Sequence, residues 1–164
     1  MKMQRSLFLV LVFLFSTISQ FAYADDNAEF LKGRQAYKGE KYGEALAILK
    51  PLGESGHSGA QYLLARMYEK GQGVPKDHAR MLEWYRRSAD AGNAKAQYKM
   101  AVGYAQGYGG LEKNNAEAGK WHLKSAEQGY RRAMKTLGKA YQKGKFGFRK
   151  DKKKAEFWLK KAEK

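Results

Sequence analysis

The chain has 164 residues, a formal charge of +16 at pH 7 and no cysteine. Its length predicts a single domain, and the absence of thiols excludes disulfide bonds, catalysis by a thiolate and zinc sites built on cysteine. A chain this basic favours an anionic partner, because long-range electrostatic attraction steers oppositely charged molecules together.

Residues 1–24 have the three parts of a cleaved export signal. Lys2 and Arg5 form a basic start, an apolar run follows, and small residues stand two apart at Ala22 and Ala24. The apolar run is much shorter than the about 20 residues that a membrane-spanning helix needs. We therefore expect cleavage after Ala24, a periplasmic mature protein with no transmembrane segment, and no nucleic acid as partner. An uncleaved N-terminal anchor and full secretion are the alternatives.

Residues 25–56 are predicted to form a helical hairpin that caps the N-terminal side of the fold. Phe30 and Tyr37 share one face of its first helix, and Leu49 belongs to the apolar face of the second. Pro51 lies inside that second pattern, where we expect it to kink or shorten the helix.

The rest of the chain repeats itself with a period of about 37 residues, which holds two helices and two turns. Because aromatic residues recur in step with the repeat, we predict that they fill the same place in each repeat and belong to the core rather than to a ligand site. The predicted core residues are Tyr68, Trp84, Tyr104, Trp121, Tyr141 and Trp158.

The first repeat shows how each unit is built. A helix is predicted from Ser58 to Lys70, and Gly71 ends it because glycine adopts the left-handed cap at little cost. Asp77 is placed to cap a second helix, which ends at Gly92. The residues of this unit that recur along the chain, or belong to the same pattern, are Ala60, Leu64, Ala65, Tyr68, Gly71, Gly73, Val74, Asp77, Trp84, Tyr85, Ala89 and Gly92.

This order of residues resembles the Sel-1-like repeat, a longer variant of the tetratricopeptide repeat. Residues 57–95 match it closely, 96–132 and 133–164 match well, and 25–56 match loosely. The resemblance implies an all-α fold, a right-handed α-solenoid of antiparallel helix pairs in which three repeats follow a tetratricopeptide-like N-terminal hairpin. It also implies a non-enzymatic binding module, because proteins of this family look like adaptors and assembly factors.

The sequence departs from the family pattern at four positions. Met81 stands where alanine is usual, Asn114 where aspartate is usual, and His122 and Leu159 where tyrosine is usual. These departures change local packing and leave the fold prediction intact.

No residues are predicted for catalysis, for a metal or for a cofactor. His57, His78 and His122 share no ligand spacing on one face. The glycines do not form a phosphate-binding loop that ends in Lys-Ser or Lys-Thr. No nucleophile is placed beside a base, so a hydrolase of the cell wall or of peptides is disfavoured.

The concave side of the solenoid is the preferred site for a partner. In such folds the first helix of each repeat lines this side, and its residues outside the core pattern vary between repeats. Tyr and Arg are also frequent in binding hot spots. The predicted partner-binding residues are Tyr62, Arg66, Glu69, Tyr98, Val102, Gln106, Lys135, Lys139 and Gln142.

A second candidate surface is a basic face near the C-terminus, where most of the excess positive charge lies. It is either a solvated surface or a face that attracts an anionic partner. Phe148 aligns with Val74 and Leu111, which predicts a buried loop residue. The basic face comprises Lys143, Lys145, Arg149, Lys150, Lys152, Lys153 and Lys154.

These observations favour an exported adaptor or scaffold that binds another, acidic protein of the cell envelope. One alternative is an immunity protein that neutralises a periplasm-targeted antibacterial effector, such as a type VI secretion lipase, because a small basic blocker suits an acidic toxin. Another is a peripheral binder of anionic lipid, glycan or cell-wall polymer through the basic face.

Overall fold

The computed structural model describes residues 26–163, so the predicted signal and its cleavage site lie outside the described residues. Within that range the chain forms eight helices and no strand. The helices are α1 (26–38), α2 (Tyr42–Glu54), α3 (Ser58–Lys70), α4 (His78–Asp90), α5 (Ala94–Gln106), α6 (Asn115–Glu127), α7 (Arg131–Lys143) and α8 (Lys152–Lys161).

From α2 to α8, each helix packs against the helices next to it in sequence. Short turns between neighbours make them antiparallel, so the predicted all-α solenoid is confirmed. No helix of residues 26–163 is long and apolar enough to cross a membrane. Contrary to the expected shortening at Pro51, α2 continues past that residue to Glu54.

The ends of the helices follow from local side-chain chemistry. Gly71 closes α3 with a φ of 72°, a left-handed conformation that costs glycine little. Asp77 caps α4, because its Oδ1 accepts the Arg80 N–H at 2.9 Å. Asn114 caps α6 in the same way, with its Oδ1 accepting the Glu117 N–H at 3.0 Å. The replacement of the usual aspartate by Asn114 therefore preserves the cap.

Buried polar side chains fix the spacing between helices. Ser88, fully buried on α4, donates its hydroxyl to the Ser58 carbonyl at the start of α3 at 2.7 Å. Gln97, on α5, donates its amide to the Ala89 carbonyl of the preceding repeat at 3.1 Å. Each of these bonds satisfies a polar group that would otherwise be costly to bury, and together they join α4 to α3 and to α5.

The predicted aromatic core divides into two groups. Trp84 and Trp158 are each only 8% exposed. The other four pack against the core clusters but keep an exposed edge, and they are Tyr68, Tyr104, Trp121 and Tyr141. Cationic side chains cover several of those edges, for example Lys124 at 4.6 Å from the Trp121 ring centre. Cation–π attraction therefore replaces complete burial at these positions.

Candidate functional site

A groove of about 870 Å³ runs along α1, the first half of α3 and the residues that begin α5 and α7. Four of its lining residues are cationic: Arg34, Lys38, Arg66 and Lys95. None of its lining residues is Asp or Glu, and none of the four cations forms a salt bridge with a described carboxylate. The groove therefore carries uncompensated positive charge.

The close approach of α1 to α3 builds one end of the groove. A Cβ on Gly59 would lie 2.7 Å from Cζ of Phe30, so only glycine leaves room for that ring. Phe30 then stacks on His57, with ring centres 4.4 Å apart. The Nδ1 atom of His57 accepts the Ala60 N–H at 3.1 Å, which places the proton of the neutral ring on Nε2.

Two half-buried tyrosines and an arginine form the middle of the groove. The Arg66 guanidinium lies 5.6 Å from the centre of the Tyr37 ring. Burial raises the pKa of Tyr37 and of Tyr62, although the positive charge of Arg66 opposes it. Both hydroxyls are therefore neutral at ordinary pH, and the groove offers cations, hydroxyls and ring faces to a ligand.

A second, smaller cavity of about 260 Å³ lies between α3, α4 and α5, and we call it the inter-repeat pocket. Its walls are mainly apolar, and the loop after α5 covers it. The apolar side chains that line it are Met81, Leu82, Met100, Val102 and Leu111. Gly109 in that loop lies so close to α4 that a Cβ there would stand 2.6 Å from Cε of Met81.

The polar rim of the inter-repeat pocket is internally neutralised. Glu69 accepts hydrogen bonds from the Tyr85 hydroxyl at 2.7 Å and from Lys99 at 2.8 Å. Burial alone would raise the pKa of Glu69, but these hydrogen bonds and the positive charges of Lys99 and Arg66 together lower it. Glu69 is thus an ionised carboxylate whose charge is already satisfied.

The groove and the inter-repeat pocket adjoin each other. Tyr62 lines the groove and Tyr85 lines the pocket, and their ring centres are 5.9 Å apart. Arg66 in the groove is also close enough to Glu69 at the pocket rim to influence its pKa. The two cavities are therefore neighbours whose lining side chains contact each other.

The nine residues predicted for the concave face separate in the structure. Two line the groove, and these are Tyr62 and Arg66. Three line the inter-repeat pocket, and these are Glu69, Val102 and Gln106. Tyr98 lines neither cavity and packs on Tyr130 at 5.3 Å. The remaining three are exposed on α7 outside both cavities, and these are Lys135, Lys139 and Gln142.

Sequence reasoning missed the contribution of α1. Phe30, Arg34 and Tyr37 were expected only in a capping hairpin, yet all three line the groove. The starts of α5 and α7 were missed too, because no core position marks them. A constant repeat length brings the starts of equivalent helices to one edge of the solenoid, and that spacing was the available signal.

The predicted basic face is exposed at all seven positions. Within the described chain, only Lys154 among them forms an ion pair, with Asp151 at 3.9 Å. The aromatic residues in this region serve the fold, since Phe148 stacks on Tyr141 at 4.7 Å and Phe146 lies 5.2 Å from His122. The other six cations form no ion pair with a described carboxylate, while the loop beneath them is held in place.

His122 is a buried structural residue. It is 2% exposed, and its ring packs 5.5 Å from Tyr98. Its Nδ1 has no hydrogen-bond partner among the described residues. Burial lowers the pKa of His122 to about 4. The ring is consequently neutral near pH 7, and the described residues contain no group of three or more His, Asp or Glu placed to hold a metal.

Comparison with known proteins identifies the repeat. A family model described as Sel1 repeat matches residues 58–93, 94–130 and 132–164. A Sel1 repeat protein from Oxalobacter formigenes is 36% identical, with a TM-score of 0.74, over 80% of this chain and 54% of that one. A protective antigen of uropathogenic Escherichia coli strains that displays an SLR fold is 31% identical, with a TM-score of 0.74, over 84% of this chain.

The chain is much shorter than both of these proteins. It spans 54% of the length of the first and 30% of the length of the second. No protein of curated function matches it. The resemblance noted in the sequence is confirmed by the family model, which matches residues from α3 to α8, and by both structures.

Proposed function

Since this chain belongs to the Sel1 repeat family, whose repeats are protein-interaction modules, we propose that it is an exported, non-enzymatic adaptor that binds one envelope protein in its groove. The observation that carries this proposal is the groove itself. It encloses about 870 Å³ and is lined by residues of α1, α3 and the starts of α5 and α7. Its two half-buried tyrosines and its two arginines, Arg34 and Arg66, are of the residue types that dominate binding energies at interfaces.

The proposal of export rests on the N-terminal sequence. A basic start, a short apolar run and the small residues Ala22 and Ala24 form a signal for cleavage after Ala24. We place the mature protein in the periplasm. Mass measurement of protein purified from its own host tests this placement, because an intact N-terminus would contradict it.

Affinity capture tests the binding proposal. The full-length chain, tagged at the C-terminus and expressed in its own host, is purified from the envelope fraction and its partners are identified by mass spectrometry. Arg66→Glu reverses a charge in the groove, whereas Lys76→Glu makes the same change in an exposed loop outside it. We expect one dominant partner that Arg66→Glu removes and Lys76→Glu retains. Equal recovery with both variants would refute binding in the groove.

The identity of the captured protein separates an adaptor from an immunity protein. Recovery of an antibacterial effector, such as a secreted lipase, would assign the immunity function. Recovery of an envelope assembly or signalling protein would assign the adaptor function. The positive groove supports either role with an acidic partner, because complementary charge accelerates and directs association.

A second candidate function is peripheral binding of anionic lipid or cell-wall polymer by the basic face. The unpaired cations around α8 support it, as does Phe157, which is 57% exposed on the same helix. Sedimentation with vesicles of anionic phospholipid tests this function, with Arg149→Glu as the variant of the basic face. Vesicle binding should fall with added salt; binding unaffected by salt or by Arg149→Glu would exclude it.

A further inference from the structure

We infer that the groove and the inter-repeat pocket together bind one extended peptide segment of the partner, in which acidic residues are followed by a single aliphatic side chain. The inference rests on the proposed function and specifies its ligand. The acidic residues would lie in the groove beside Arg34, Lys38 and Arg66, and the aliphatic side chain would enter the pocket next to Met100.

The charge of the groove selects acidic residues. Its four cations face no carboxylate within the groove lining, so a basic or neutral segment would leave their repulsion uncompensated. Glu69 is the one carboxylate at the junction with the pocket, among the residues that line the two cavities. Because Lys99 and Tyr85 already satisfy Glu69, it does not repel an acidic ligand as an unpaired carboxylate would.

The size and lining of the inter-repeat pocket select an aliphatic side chain. Its volume of about 260 Å³ is below the about 300–1,000 Å³ of sites that hold whole small molecules. Methionine and leucine side chains line it, and methionine adapts its shape to an inserted side chain. Val102 and Leu111 stand at partly exposed positions of the wall, so the pocket is open to solvent and a side chain is able to enter it.

The combination argues against other anionic ligands. Nucleic acids and glycans carry no aliphatic side chain for the pocket. A fatty acyl chain needs a longer apolar channel than the pocket provides, and the groove beside it is lined by charged and polar groups. A peptide supplies carboxylates and one apolar anchor within a few residues of each other, because consecutive residues of an extended chain are about 3.3 Å apart.

Fluorescence anisotropy with designed peptides tests the inference on the full mature chain. The probe is a labelled peptide of four glutamates, a spacer of zero to three glycines and one leucine. The first control peptide replaces the glutamates by glutamine, and the second replaces the leucine by alanine. Compared with the probe, we expect the glutamine peptide to bind at least about tenfold more weakly. The alanine peptide should bind about tenfold more weakly than the probe.

Protein variants locate the two halves of the peptide. Arg66→Glu should abolish binding, and Lys76→Glu should leave it unchanged although it alters the net charge equally. Val102→Phe fills the pocket from a partly exposed position, so it should erase the difference between the leucine and alanine peptides. Thermal melts followed by circular dichroism establish that each variant is folded.

Several results would overturn the inference. Equal binding of the glutamate and glutamine peptides, or no binding of any peptide, would contradict the acidic part. A folded Val102→Phe variant that still prefers the leucine peptide would contradict the role of the pocket. Tighter binding of a single-chain anionic lipid than of the peptide would contradict the choice of a peptide as ligand. If the peptides fail while Arg66→Glu still removes the captured partner, the groove function stands and the ligand assignment falls. If Arg66→Glu leaves capture intact as well, both fall.

Discussion

Protonation of His122 should make the fold sensitive to acid. The folded-state pKa of this side chain is about 4, against an ordinary value of 6.5. Between those two values the unfolded chain binds a proton that the folded chain excludes. The stabilisation is therefore complete above about pH 6.5, is lost as the pH falls towards 4, and does not decline further below that. At about 1.4 kcal/mol for each pKa unit, the loss across this window is about 3 kcal/mol.

Urea unfolding followed by circular dichroism at about pH 7 and about pH 4 measures this loss. Carboxylates also titrate in acid, so the wild-type chain is compared with His122→Tyr and His122→Leu. These variants place at this position the residues found at the equivalent positions of the other repeats, Tyr85 and Leu159. The wild type should lose about 3 kcal/mol more than either variant. An equal loss in all three proteins would show that burial of His122 does not control acid stability.

Further predictions concern the stability of individual elements. Asp77→Ala removes the cap of α4 and should lower the free energy of unfolding by about 1 kcal/mol. The control Asp90→Ala changes an exposed aspartate that caps no helix and should not lower it. Equal shifts of the thermal melting temperature in both variants would contradict the capping role. Gly119→Ala places a Cβ against the Phe146 carbonyl oxygen and should lower the free energy of unfolding by about 1–3 kcal/mol. The new Cβ in Gly43→Ala, on α2, meets nothing within 4 Å, so this variant should raise the free energy of unfolding by up to about 1 kcal/mol. The midpoints of urea unfolding should therefore move in opposite directions for the two glycine variants. Movement in the same direction would refute the steric argument.

The elements that local signals determine were predictable from the sequence. Gly71 and Asp77 mark helix ends by chemistry that acts within a few residues, and α3 has the predicted bounds Ser58–Lys70. The Trp spacing predicted the repeat because equivalent hairpins bury equivalent rings. Trp121 keeps an exposed edge, which periodicity alone does not reveal, since it identifies a face and not the depth of burial.

The composition of the site was not predictable, because it depends on contacts between distant segments. The place of α1 in the groove requires that Phe30 pack over the bare Cα of Gly59, and no helical period links those two residues. The inter-repeat pocket likewise depends on Gly109 bringing its loop against Met81. Lys135 belongs to the predicted concave set by position along α7, but neither cavity extends to it.

The last helix of the described solenoid is held mainly by one neighbour. In the described chain α8 makes its extensive contacts with α7 alone, so it is able to detach without breaking any other helix pair. The loop that leads to α8 carries Lys145, Arg149 and Lys150, all exposed, and these are residue types after which trypsin-like proteases cut. A cut there would remove the residues beyond the loop while leaving α1 and α3 joined. Detachment of α8 would carry away Lys152, Lys153 and Lys154 of the basic face, whereas the groove is built on α1, α3, α5 and α7 and does not depend on α8.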